Sequence, residues 1–278
     1  MKLTHEVPVD GATLAVEFLP GPAERPPLVM LHAGVTDSRL WDGVSAAAAG
    51  WRPTLRMDRR GFGLTRVHDA RPHRLIDDLR AVLDALSLDR VELLGCSQGG
   101  RVAIDFALAW PERVAGLALV APAVGGSPEQ ALDAASQALA DAIDAAEEAG
   151  DLEQVNRLEA RLWLDGPGQP EGRVGGVARA LFLDMNRRAL AAAPAGEQVL
   201  PPPAWPQLER LALPGRALHL WWGTLDLPKL QQRCALIGAR LPGLQAQALP
   251  GLAHLPSLEA PQRFNALLAE AGLLPAGA

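Results

Sequence analysis

Lysine, cysteine and long apolar runs are all scarce in this chain. Lysine occurs only at Lys2 and Lys229 among 278 residues, and the formal net charge is -6. Arginines are scattered, with no basic run and no basic helix stripe, so a nucleic-acid partner is not expected. The lysine scarcity accompanies Ala-, Gly- and Pro-rich usage and reads as genome composition, which attaches no chemistry to any single arginine. Two cysteines, Cys96 and Cys234, are too few for a disulfide framework, and a strand end and a helix are core positions. The opening residues Met1–Glu6 hold no apolar run, so no secretory leader is expected. No stretch is apolar enough for a membrane span, which leaves a reducing cytoplasm as the expected compartment. Against these absences stand 49% hydrophobic and 21% charged residues, enough for a sizeable core.

Residues 4–9 and 13–18 alternate apolar and polar side chains around Asp10-Gly11, the signal of a hairpin. Residues 27–32 are a continuous apolar run, as a strand buried on both faces requires, and 91–95 and 114–120 read as further short buried strands; 54–58 is a further, less clean strand candidate. Helical spacing marks 73–87, and a helix over 98–110 is ended by Pro111. Strands alternating with helices imply a parallel sheet. Between residues 123 and 208 the pattern becomes helical only. Ser127-Pro128-Glu129-Gln130 reads as a capping box opening a helix to Gly150, Asp151 opens a second with Gln154 three residues on, and a third covers roughly 173–192. Strand character resumes at 216–222 and 244–249, and a last helix starts near Ser257 or Glu259. The expected organisation is an α/β core of residues 1–122 and 209–278, helices on both faces of its sheet, with a helical block of 123–208 inserted.

Gly95-Cys96-Ser97-Gln98-Gly99 fits the G-x-S-x-G nucleophile elbow, with a strand before it and a helix after it. So tight a turn forces Ser97 into a strained backbone; Gly95 and Gly99 leave room, and Gly100 allows close helix packing. Serine needs a base. His219 lies within an apolar strand and reads as a core residue, His5, His68 and His73 lie in polar segments, and His32 ends an early buried strand. His254 stands in a loop after the last strand, downstream of Ser97, and is the candidate base. Asp226 follows the strand ending at Trp222 and is the candidate acid that would hold the Nδ1 proton of His254. The competing position after 114–120 contains no carboxylate. Oxyanion donors are expected from the backbone N–H groups of Gln98 and Gly34.

With these residues in place the chain resembles the α/β-hydrolase superfamily over essentially its whole length. Leu31-His32-Ala33-Gly34, Asp58-Arg59-Arg60-Gly61-Phe62-Gly63, the elbow, Trp110-Pro111-Glu112-Arg113-Val114, and His254-Leu255-Pro256 followed by Glu259 and Pro261 resemble its capped esterase, lactonase and C–C hydrolase branch. The resemblance implies that 123–208 is a cap covering the active site. One departure is Ala33, where the family usually has glycine. Dehalogenases and epoxide hydrolases of this fold use Asp as nucleophile, which Ser97 argues against. The expected reaction is acyl transfer through Ser97 onto a small carboxylic ester or lactone of apolar character, with no cofactor and no metal. C–C bond hydrolysis, cofactor-free perhydrolysis and a non-enzymatic ligand receptor are the alternatives. Trp163 and Phe182, with Leu164, Met185 and Trp205, are candidates for an apolar substrate lining, and each equally suits a helix core.

Overall fold

Short apolar runs become strands wherever both of their faces are covered. A computed structural model describes residues 4–212 and 215–277. Its strands are β1 (His5–Val9), β2 (Ala12–Leu19), β3 (Leu28–Leu31), β4 (Thr54–Met57), β5 (Arg66–Val67), β6 (Val91–Cys96), β7 (Val114–Val120), β8 (Ala217–Gly223) and β9 (Gln245–Leu249). They form one sheet in the order β1-β2-β4-β3-β6-β7-β8-β9, with β5 beside β2. The β1–β2 and β2–β4 pairs are antiparallel, and every pair from β4 to β9 is parallel. Gly11, at φ +74°, closes the β1–β2 hairpin, which glycine does without strain.

Period-two alternation divides the central strands between two cores. Val29, Leu31, Leu93, Leu117, Leu119 and Leu220 enter one, while Leu28, Met30, Leu94, Cys96, Ala118, Val120 and Trp221 enter the other. The helices covering the sheet are α1 (Asp42–Ala48), α2 (Leu75–Ala85), α3 (Gln98–Ala109), α7 (Pro228–Arg240), α8 (Pro256–Glu259) and α9 (Pro261–Glu270). Register sets the ends of the strands side by side: Leu31 pairs with Gly95, Cys96 with Val120, and Val120 with Trp221. The turns leaving β3, β6, β7 and β8 therefore emerge at one edge, where ligands meet sheets of this kind.

Between β7 and β8 lie α4 (Ala134–Glu148), α5 (Leu152–Glu159), a π-helical turn (Ala160–Asp165) and α6 (Gly176–Leu190). No strand occurs among the described residues of this insertion, although Gln198 forms one isolated bridge to His73. Two expected helix starts are corrected. The helix assigned to Ser127 begins at Ala134, because Asp133 caps it by accepting a hydrogen bond from the Ser136 N–H at 2.8 Å. The third helix begins at Gly176 rather than 173, since the buried Asp165 carboxylate receives the Gly172 and Val174 N–H groups and holds that stretch in a loop. Asp151 caps α5 through Gln154 N as expected. Within the insertion Leu139, Ile143, Val155, Leu158 and Leu162 pack together and reach Leu227 and Leu230, which flank the start of α7.

Candidate active site

Ser97 sits between β6 and α3 at φ +52°, ψ -113°, a region that costs a non-glycine residue roughly 1–3 kcal/mol. Its backbone is over-determined: Ser97 N–H donates to Val120 O at 2.9 Å, and Ser97 O accepts from Ala123 N and Arg101 N. Glycines clear the turn. A Cβ at Gly95 would lie 2.5 Å from Gly99 O, and one at Gly99 would lie 2.1 Å from Leu31 O. The Ser97 side chain makes no capping hydrogen bond to α3, although it occupies the N-cap position. The N–H groups of the first helical turn have no intrahelical partner and carry the positive end of the dipole.

The loop after β9 brings His254 to Asp226, which lies three residues beyond β8. His254 Nδ1 donates to Asp226 Oδ2 at 2.7 Å, and both side chains are almost wholly buried. The other carboxylate oxygen, Oδ1, accepts from Leu227 N at 2.7 Å, so each oxygen has its own donor. The Cys96 thiol donates to the His254 carbonyl at 3.6 Å, tying the residue before Ser97 to the histidine loop. Burial pushes that thiol's pKa far up, and it stays protonated.

Gly34 and Gln98 are neighbours, a Cβ at Gly34 falling 3.4 Å from Gln98 Oε1. Behind them stands a brace that no local sequence signal marks. The buried Arg59 guanidinium donates to Gln98 Oε1 through Nη1 and to Ala33 O through Nη2 at 3.0 Å. Burial lowers its pKa to about 9, against the pull of Asp58, so it is cationic at neutral pH. His32 donates Nδ1–H to Ala33 O and accepts Arg59 N–H at Nε2, as a neutral imidazole must. Burial, and then the Arg59 charge, hold its pKa well below the usual imidazole range.

The lining candidates separate. Trp163, on the π-turn, lays its ring 4.8 Å from the His254 ring. Phe182 has no exposed surface and packs in the core cluster with Leu164 and Met185, both equally buried. Trp205 packs against the opposite core, with Arg240 over its ring. His219 is buried and stacked on Trp221, and burial lowers its pKa.

A second support for His254 comes from a residue of the family-resembling segment, whose role the sequence alone does not assign. Glu259, whose side chain is 1% exposed, accepts Ala253 N–H at 2.9 Å and Leu255 N–H at 3.2 Å, the amides on either side of the histidine. Burial raises the Glu259 pKa, and Arg173 pulls it back.

Comparison with known proteins gives this geometry a context. A family model described as alpha/beta hydrolase fold matches residues 26–165, half of the chain. A Pseudomonas putida F1 protein named 2-hydroxy-6-oxo-2,4-heptadienoate hydrolase is 38% identical over 113 residues, 37% of this chain and 39% of its own length. The chain thus matches about two fifths of that relative. A hydrolase from Pseudomonas aeruginosa PA01 superposes with a TM-score of 0.76 at 26% identity, over 100% of this chain and 99% of that one. A thermophilic esterase from Thermogutta terrifontis shares the fold, with a TM-score of 0.72 at 22% identity over 93% and 92% of the two chains. With the family model spanning half of the sequence and the same architecture from end to end, the chain belongs to the alpha/beta hydrolase fold family.

Proposed function

We propose that the protein is a serine hydrolase that cleaves a small carboxylic ester or lactone through an acyl-enzyme. The observation that carries this reading is a strained serine at the strand–helix turn combined with a buried histidine–aspartate pair on loops of the same sheet edge. Ser97 Oγ attacks the substrate carbonyl carbon while its proton passes to Nε2 of His254, the nitrogen that Asp226 leaves free. The Gln98 and Gly34 N–H groups receive the developing oxyanion, where fixed donors act without reorganising. His254 then returns the proton to the leaving oxygen as the C–O bond breaks. Water, deprotonated by His254, attacks the acyl carbon and releases acid and Ser97.

Hydrolysis of a C–C bond is the second reading, favoured by the activity named for the Pseudomonas putida relative. A panel of p-nitrophenyl esters, lactones and 2-hydroxy-6-oxo-2,4-heptadienoate decides between them. The expected result is kcat/KM for the best ester or lactone at least tenfold above that for the dienoate. The opposite order overturns the ester reading.

In this reading the helical insertion is the lid of the site, and Trp163 and Phe182 play different parts in it. Trp163 touches His254, so Trp163→Ala is expected to reorder acyl chain lengths ranked by kcat/KM, one methylene in such a pocket being worth about 1–3 kcal/mol. Phe182 is wholly buried, so Phe182→Ala is expected to lose about 3–5 kcal/mol of stability and keep the wild-type ranking. Straight-chain p-nitrophenyl esters and denaturant unfolding measure both. An unchanged ranking in Trp163→Ala would place its ring outside the pocket.

A further inference from the structure

Arg173 belongs to the insertion, in the loop before α6, and spends its donors in two directions. Within the insertion it holds the end of the π-turn, donating from Nε to Asp165 O at 2.6 Å and from Nη2 to Leu164 O at 2.8 Å. Toward the core it reaches the histidine loop, donating from Nη2 to Glu259 Oε2 at 2.6 Å and from Nη1 to Gly251 O at 3.3 Å. Its platform is densely hydrogen-bonded. Asp165, itself fully buried, takes Gly172 N, Val174 N and Arg179 Nη1. The same π-turn carries Trp163 onto the His254 ring. Turns of this type are rare and gather at functional sites.

A closed circuit results. From the His254 ring it passes to Trp163, along the turn to Leu164 and Asp165, through Arg173 to Glu259, and back to the amides of Ala253 and Leu255. From these contacts we infer that Arg173 is a positioning residue, which latches the insertion to the catalytic histidine loop so that seating the lid and orienting His254 are a single event. The inference rests on the serine-hydrolase reading for its kinetic consequence and on geometry alone for the latch.

Arg173 itself touches no reacting atom. Without it, Glu259 loses its charge-assisted Nη2 donor and Gly251 O its Nη1 donor, so the loop that carries His254 is held by fewer bonds. A misplacement on the order of 1 Å at such a group costs about 10²-fold in rate. Arg173→Met is therefore expected to lower kcat per titrated active site on the order of 10²-fold, with KM for a short p-nitrophenyl ester within about threefold of wild type. Arg173→Lys, which keeps the charge but not the fork, should recover part of the loss. In a Glu259→Gln background, Arg173→Met should cost far less than alone, because the path it acts through is already broken.

Amide hydrogen exchange supplies a readout free of activity. The Ala253 and Leu255 amides are expected to exchange faster in Arg173→Met, while those of β6 and β7 keep wild-type protection. Wild-type protection at both amides in Arg173→Met overturns the latch, whatever the kinetics. So does a loss of kcat that is additive with Glu259→Gln or unrelieved by Arg173→Lys. If wild type turns over neither ester, lactone nor dienoate while exchange behaves as expected, the serine-hydrolase reading fails and the latch stands.

Discussion

Ser97→Ala is expected to abolish covalent labelling by a fluorophosphonate and to lower esterase turnover on the order of 10⁶-fold, as loss of the nucleophile does in a serine-protease triad. Its fold should be retained, because alanine keeps the Cβ already present at φ +52° and the side chain makes no capping bond to be lost. Positive φ alone does not single out this serine, since Ser87 has φ 53°. Ser87 is exposed and closes α2, where Leu88 N–H returns to Leu83 O at 2.9 Å in the manner of a left-handed helix cap. Ser97 instead opens a helix above aligned strand ends, and the residue before it, Cys96, donates its thiol to the carbonyl of His254. Mass-spectrometric mapping of the labelled peptide checks the assignment, and labelling that persists in Ser97→Ala at the wild-type rate would sink it.

Asp226→Asn carries the second large effect. The carboxylate accepts from two donors, Leu227 N–H at Oδ1 and His254 Nδ1–H at Oδ2. An asparagine has one acceptor oxygen to offer. Kept on Leu227 N–H, it turns its NH₂ group toward Nδ1, and the ring must then carry its proton on Nε2. That tautomer cannot take a proton from Ser97. Turnover is expected to fall on the order of 10⁴-fold, as for the corresponding change in serine proteases. The comparison is kcat for Asp226→Asn and wild type at one pH, with circular dichroism to confirm the fold. A loss of only a fewfold would place the orienting acid elsewhere.

Much of this arrangement is local and so is written in the residue pattern. The mostly apolar stretches read as strands at 27–32, 91–95 and 114–120 form strands at Leu28–Leu31, Val91–Cys96 and Val114–Val120, because burial on both faces leaves little polar alternation to disguise them. The elbow is legible because its demands are steric and fall within six residues: Gly95, Gly99 and Gly100 are the positions where a Cβ would meet backbone or Pro122. His254 and Asp226 are nominated by chain order and by elimination of the other histidines and strand ends, and the fold brings the two together at 2.7 Å. Helix starts in the insertion were less legible. Ser127 has the composition of a cap, yet Asp133 and Asp165 captured the backbone donors that decided where α4 and α6 begin.

By itself, then, the sequence determined the sheet, the place of the helical insertion and the turn at Ser97, and nominated His254 and Asp226 as a pair, because each depends on side chains close together in the chain or on their order. Only the tertiary structure decided which side chains do the positioning. Arg59 lies far along the chain from Gln98, and Arg173 from Glu259; the segment holding Arg59 resembles the family without saying what the guanidinium contacts, and nothing in the local pattern separates Arg173 from the many scattered arginines. Trp163 and Phe182 look alike in the sequence, two aromatics in apolar helical surroundings. One meets the imidazole of His254 and the other is sealed in the core. The difference is set by which face of the insertion packs on the sheet edge, a choice made by the summed burial of residues distant in the chain rather than by either residue's own neighbours.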